Sequence, residues 1–207
     1  MITIIDYKAG NLTSVQLAFE SIGQQVKITD KPEDVLCAKK IVFPGVGAAQ
    51  SAMDNLKNLK LIDPIRKVIA DGVPFLGICI GMQLLFESSE EDGGTKCLGI
   101  LPGQVKKFIS PDRSFKIPQI GWNTVKIVRQ HPIFNGIEDQ SEFYFVHSFY
   151  PSCSDKNFIL GQTEYSNSTF ACAAGRDNFV AVQFHPERSG RIGLRLLENF
   201  SRWDGKC

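Results

Sequence analysis

The stretch Val73-Pro74-Phe75-Leu76-Gly77-Ile78-Cys79-Ile80-Gly81-Met82-Gln83-Leu84-Leu85-Phe86 decides the fold. It opens as a short apolar run, the pattern of a buried strand, and continues as an apolar segment that reads as a helix. Between the two, Gly77-x-Cys79-x-Gly81 has the layout of a nucleophile elbow, with sulfur in place of the serine oxygen. Such a turn strains the nucleophile's backbone and brings strand and helix too close for side chains two positions away. A cysteine at a helix N-terminus also meets free N–H groups that favour thiolate. A small buried hydrophobe is the other reading of Cys79, so the rest of the chain must supply a base and an oxyanion hole.

Working outward, residues 1–6 read as a buried strand, residues 25–29 as a second short strand closed by Asp30-Lys31-Pro32, and residues 40–43 as a third that runs into Pro44-Gly45-Val46-Gly47. Helical spacing follows Leu12, begins again near Ala48 and covers residues 61–70. That order predicts an α/β fold, a mostly parallel central sheet with helices on both faces. After Glu91-Asp92-Gly93-Gly94 the strands alternate more clearly, as mixed or antiparallel strands do, at residues 105–108, 124–128, 142–147 and 179–184. A final helix over residues 190–203 packs back on the sheet. Residues 1–207 show no repeat or linker and are expected to form a single domain.

The 207 residues are 43% hydrophobic and carry a net charge of +1, without a basic stripe interleaved with aromatics. Nucleic acid and membrane are therefore not expected partners, and a cytoplasmic location is expected. The six cysteines form no CxxC pair, so neither a disulfide framework nor a metal site is expected. Cys37, Cys97, Cys153 and Cys172 read as ordinary thiols, and Cys207 does not end a prenylation box.

Three histidines are available as a base. His131, beside Pro132, reads as a surface turn residue. His147 ends a strand with nothing beside it to orient an imidazole. His185 follows the apolar run 180–184 and precedes Pro186, and Glu187 lies two residues on, pointing the same way in an extended segment. Cys79, His185 and Glu187 thus fit a nucleophile, base and orienter. Gly45 and Val46 supply an oxyanion-hole candidate together with the N–H of Ile80. The same glycine turn lacks the spacing and lysine of a phosphate loop.

Gly77-Ile78-Cys79-Ile80-Gly81-Met82-Gln83 with Phe184-His185-Pro186-Glu187 resembles the class I (triad) glutamine amidotransferases. Asp6-Tyr7-Lys8-Ala9-Gly10-Asn11-Leu12, Pro118-Gln119-Ile120-Gly121-Trp122-Asn123 and residues 144–148 narrow the resemblance. They point to glutaminase subunits that pass ammonia to a separate (β/α)8-barrel cyclase of histidine biosynthesis. An alternative is a paralogue that feeds amination of a sugar nucleotide. The resemblance implies L-glutamine as substrate, attack by Cys79, proton transfer by His185 and no cofactor. It also implies substrate contacts from Gln83, Glu91, Val146, His147 and Ser148, with backbone contacts at Val146 and Ser148. Asn11, Trp122, Tyr144 and Arg188 match positions near the cyclase interface. Lys8 stands where a glycine or other small residue is usual.

Overall fold

The protein is described by a computed structural model that covers residues 1–10, 12–110 and 115–206. Asn11 and Cys207, named above, lie outside the described residues. The first half runs β1 (Ile2–Ile5), α1 (Leu12–Ser21), β2 (Val26–Thr29), α2 (Pro32–Leu36), β3 (Ile41–Phe43), α3 (Ala49–Asn58), α4 (Ile62–Ala70), β4 (Phe75–Ile78) and α5 (Ile80–Gln83). The second half adds β5 (Ser88–Ser89), β6 (Thr95–Lys96), β7 (Gly103–Lys107), β8 (Gln119–Ile127), β9 (Ser141–His147), β10 (Phe149–Cys153), β11 (Ile159–Tyr165), β12 (Ser168–Arg176), β13 (Phe179–Val182) and α6 (Gly190–Arg202).

A nine-stranded sheet has the order β2-β1-β3-β4-β13-β12-β11-β8-β9, and β10-β7-β5-β6 form a smaller sheet. Pairing from β2 through β13 is parallel; from β13 through to β9 it is antiparallel. The parallel strands β1, β3, β4 and β13 are near-continuous apolar runs because both of their faces are covered. Ile2, Ile4, Val42, Leu76, Ile78, Val180 and Val182 point into one core with Val15 and Phe19 of α1 and Leu196 and Phe200 of α6. Their alternates Ile5, Ile41, Phe43, Phe75, Phe179 and Ala181 point into the other, with Val35, Leu56, Ile65 and Val68 of α2, α3 and α4. A period of two thus feeds two cores, each large side chain contributing roughly 1.5–3 kcal/mol on burial.

After β1 the chain moves one way to β2 and then returns past β1 to β3. The strand order reverses there, and in open α/β sheets ligands bind outside the carboxyl ends of the strands at such a point. The loop after β1, the loop after β3 and the turn after β4 all open onto that edge.

Three local expectations change. The helix after Cys79 is a single turn, because the carbonyls of Leu84, Leu85 and Phe86 accept from the N–H groups of Leu98, Gly99, Ile100 and Leu101 instead of continuing a helix. Pro32 starts α2 rather than closing β2, since proline at the first helical position loses no bond. His131 is buried, not a surface residue. Its Nδ1 accepts from the Ile133 N–H at 3.1 Å and its ring packs edge-on against Trp203, so burial pushes it down to about 4.

Candidate active site

Cys79 follows β4 at φ 55°, a left-handed conformation costly for a residue with a Cβ. The bend is held from three sides. The Cys79 N–H donates to the Val182 carbonyl, and the Cys79 carbonyl accepts from Met82 and Gln83. The flanking glycines are required by space. A Cβ on Gly81 would sit 1.7 Å from the Phe43 carbonyl oxygen, and one on Gly77 3.0 Å from that of Gly81.

The parallel register pairs Ile78 with Val182, so the residues after β4 and after β13 emerge side by side. This brings His185 to Cys79, and the two side chains border one cavity. The His185 Nδ1 lies 2.8 Å from the Glu187 Oε1, and both side chains are buried. The segment is not extended as expected. Pro186–Arg188 forms a 3-10 turn, because the His185 carbonyl accepts from both the Arg188 N–H and the Ser189 hydroxyl. The contact with Glu187 is made through that turn. Burial opposes charge on the His185 ring, but the Cys79 charge and hydrogen bond and the Glu187 carboxylate outweigh it, and the imidazole is pushed up to about 10.

Val46, Cys79, Ile80, Gln83, Glu91, Val146, His147, Ser148, His185 and Arg188 border one cavity of about 300 Å³, together with Gly47, Pro118 and Phe149. Gly45 lies behind it, so close to Tyr7 that a Cβ would fall 1.9 Å from the Tyr7 hydroxyl oxygen. That buried hydroxyl has no hydrogen-bond partner among the described residues. The Val46 N–H is already used, donating to the Ala9 carbonyl at 3.0 Å. Of the oxyanion candidates, only Ile80 carries its N–H at the opening of a helical turn, where no intrahelical acceptor exists.

Glu91 accepts from the Ala49 N–H at 2.7 Å, and its half-buried carboxyl is raised, first by burial. His147 does have an orienting group. Its Nδ1 lies 2.7 Å from the Phe149 carbonyl, which fixes the proton on that nitrogen, and burial pushes the ring down to about 4. The Val146 carbonyl is 4.0 Å from the Cys79 sulfur, and the Ser148 carbonyl accepts from the Phe108 N–H.

Trp122 and Tyr144 sit opposite each other across β8 and β9, with ring centroids 6.0 Å apart. Trp122 is 54% exposed and Ile120, on the same strand, 63%. The Tyr144 backbone is bonded to the histidine segment, accepting from the His185 N–H and donating to the Ser189 hydroxyl. Arg188 edges the cavity.

One residue at the sulfur went unassigned in the sequence. Gln183 is wholly buried and its Nε2 lies 3.8 Å from the Cys79 Sγ. Its signal was a single polar side chain inside the apolar run 180–184. Among the described residues no helix is long and apolar enough to cross a membrane.

Residues 3–202 match the family described as Glutamine amidotransferase class-I. A relative from Methanocaldococcus jannaschii, named imidazole glycerol phosphate synthase subunit HisH, is 52% identical over 97% of this chain and 98% of its own length. One of the same name from Nitrosococcus oceani is 46% identical over 99% and 98%. Among solved structures, PurLQS from Thermotoga maritima superposes with a TM-score of 0.74 at 19% identity, covering 97% of this chain and 96% of that one. The glutaminase domain of Trypanosoma brucei CTPS gives 0.67 at 18%, covering 100% and 97%. At those identities the two structures speak for the fold alone.

Proposed function

Since the chain belongs to the class I glutamine amidotransferase family, we propose that it is the glutaminase subunit of an imidazole glycerol phosphate synthase. It hydrolyses L-glutamine to glutamate and ammonia and delivers the ammonia to a (β/α)8-barrel cyclase subunit in histidine biosynthesis. The observation that carries the chemistry is a cysteine held at positive φ beside a buried His–Glu pair. The names of full-length relatives support the pathway over the sugar-nucleotide alternative.

In this reading the Cys79 sulfur attacks the side-chain carbonyl carbon of glutamine, and the oxygen becomes an oxyanion. The Ile80 N–H stabilises it, joined by the Val46 N–H once that group leaves Ala9. His185 takes the thiol proton and gives it to the departing nitrogen, so ammonia leaves and a γ-glutamyl thioester remains. It then takes a proton from water, whose oxygen attacks the thioester, and returns that proton to sulfur. Glu187 keeps the imidazole in one tautomer and stabilises its cation. Gln83, Glu91, Val146, His147 and Ser148 hold the substrate. Trp122, Tyr144 and Arg188 face the cyclase. The reading takes residues 1–207 as one domain, working in the cytoplasm.

The test is a reconstituted complex with the barrel subunit. Cys79→Ala abolishes glutamine-dependent cyclisation and leaves ammonia-dependent cyclisation intact. Loss of both activities, or of neither, overturns the assignment.

A further inference from the structure

We propose that Gln183 is a positioning residue that aims an N–H donor at the Cys79 sulfur, and that a chain of buried amides ending on the Phe149 carbonyl dictates its orientation. The inference rests on the reading above only in taking Cys79 as the nucleophile.

The orientation follows from counting donors and acceptors. A backbone carbonyl accepts and never donates. The end of the Gln83 amide that lies 3.1 Å from the Phe149 oxygen is therefore its NH2. The same nitrogen lies 2.9 Å from the Gln183 side chain, so the Gln183 atom facing it is the oxygen. That leaves the Gln183 NH2 turned to Cys79, 3.8 Å from its sulfur. Turning over either amide would set donor against donor or acceptor against acceptor, at a buried site where such mismatches are costly. His147 donates from Nδ1 to the same Phe149 carbonyl, which fills its second lone pair.

Sequence and register put Gln183 there. It follows Val182 of β13, whose carbonyl accepts from the Cys79 N–H. The helix after Cys79 has only four residues, too short for a substantial dipole, so less help for a thiolate comes from that side than its sequence suggests. A further polar group at the sulfur beside His185, the Val146 carbonyl at 4.0 Å, is an acceptor and favours the protonated thiol. Gln183 works in the opposite sense, because an N–H donor favours the charged form of its partner.

The experiment follows the rate of iodoacetamide alkylation against pH in the full-length chain, read by mass spectrometry on the peptide containing Cys79. Gln183→Met keeps the volume and removes the donor. Its half-maximal pH is expected to move up by about one unit, with kcat down roughly tenfold and KM within about twofold. Gln183→Glu, which still accepts from Gln83 but offers sulfur no donor, moves it further. Gln83→Leu, which frees the Gln183 amide to turn, moves it the same way and covers the case in which a Gln183 variant fails to fold. Profiles that superimpose on wild type in the folded variants overturn the proposal, since a packing role changes thermal stability and not this profile. A wild-type Cys79 no more reactive than the exposed Cys37 instead overturns the nucleophile reading.

Discussion

The Val46 N–H donates to the Ala9 carbonyl at 3.0 Å, tying the loop after β3 to the loop after β1. An amide held in that bond cannot also be aimed at an oxyanion, so one of the proposed donors is committed elsewhere. Losing one such donor costs about 10²–10³ in kcat. The isolated chain is therefore expected to hydrolyse glutamine at least about a hundredfold more slowly than the same chain docked on its cyclase with that subunit's ligand bound. Steady-state glutaminase assays on both forms check this, and equal rates would mean the bond to Ala9 does not limit the reaction.

The elbow's space restrictions predict a graded pair. In Gly81→Ala the new methyl meets the Phe43 carbonyl, a backbone atom that cannot step aside, and the loss is expected to exceed about 3 kcal/mol. Gly77→Ala has 3.0–3.1 Å to its nearest neighbours and should lose roughly 1–3 kcal/mol. Chemical denaturation ranks the two, and a milder Gly81 variant would show that the turn is not packed as described.

How much of this was legible in the chain depends on how local each cause is. The flanking glycines of Cys79 and the His185-Pro186-Glu187 turn are short-range patterns, and the parallel rhythm of the first half follows from apolar periodicity. The length of α5 was not legible, since the residues that end it, 98–101, come later in the chain than the carbonyls they bond, beyond the reach of a local pattern. His131 looked exposed because Trp203, which covers it, is near the other end of the chain. Gln183 looked like an interruption of a strand until the register set it against Cys79. Lys8 departs from a small residue at φ 65°, where glycine is unstrained, and salt bridges to Asp6 and Asp30 hold it in place.

Acid should unfold the protein through its buried neutral histidines. His131 and His147 are each pushed down to about 4, from an ordinary value near 6.5, chiefly by burial. A group that resists protonation in the folded state contributes stability in full above about pH 6.5, and that contribution is lost as pH falls towards 4. Unfolding free energy is expected to drop over that window by up to about 1.4 kcal/mol per pH unit for each ring. His131→Gln should flatten the slope, and an unchanged slope would remove His131 as a cause.

Removing the orienter should cost less than removing the base. His185→Ala is expected to lower kcat by about 10⁶, whereas Glu187→Gln, which leaves the base in place but no longer holds its tautomer, loses about 10⁴. Comparing kcat for the two variants at saturating glutamine reads this order, and the reverse order would give Glu187 a more direct part than holding the ring.

Covalent capture of the intermediate is the most direct measurement. The complete enzyme, supplied with radiolabelled glutamine and quenched in acid, should carry label on the peptide containing Cys79, as a γ-glutamyl thioester that hydroxylamine releases, and Cys79→Ala should carry none. Label on any other residue, or near-native glutamine hydrolysis by Cys79→Ala, would contradict the account.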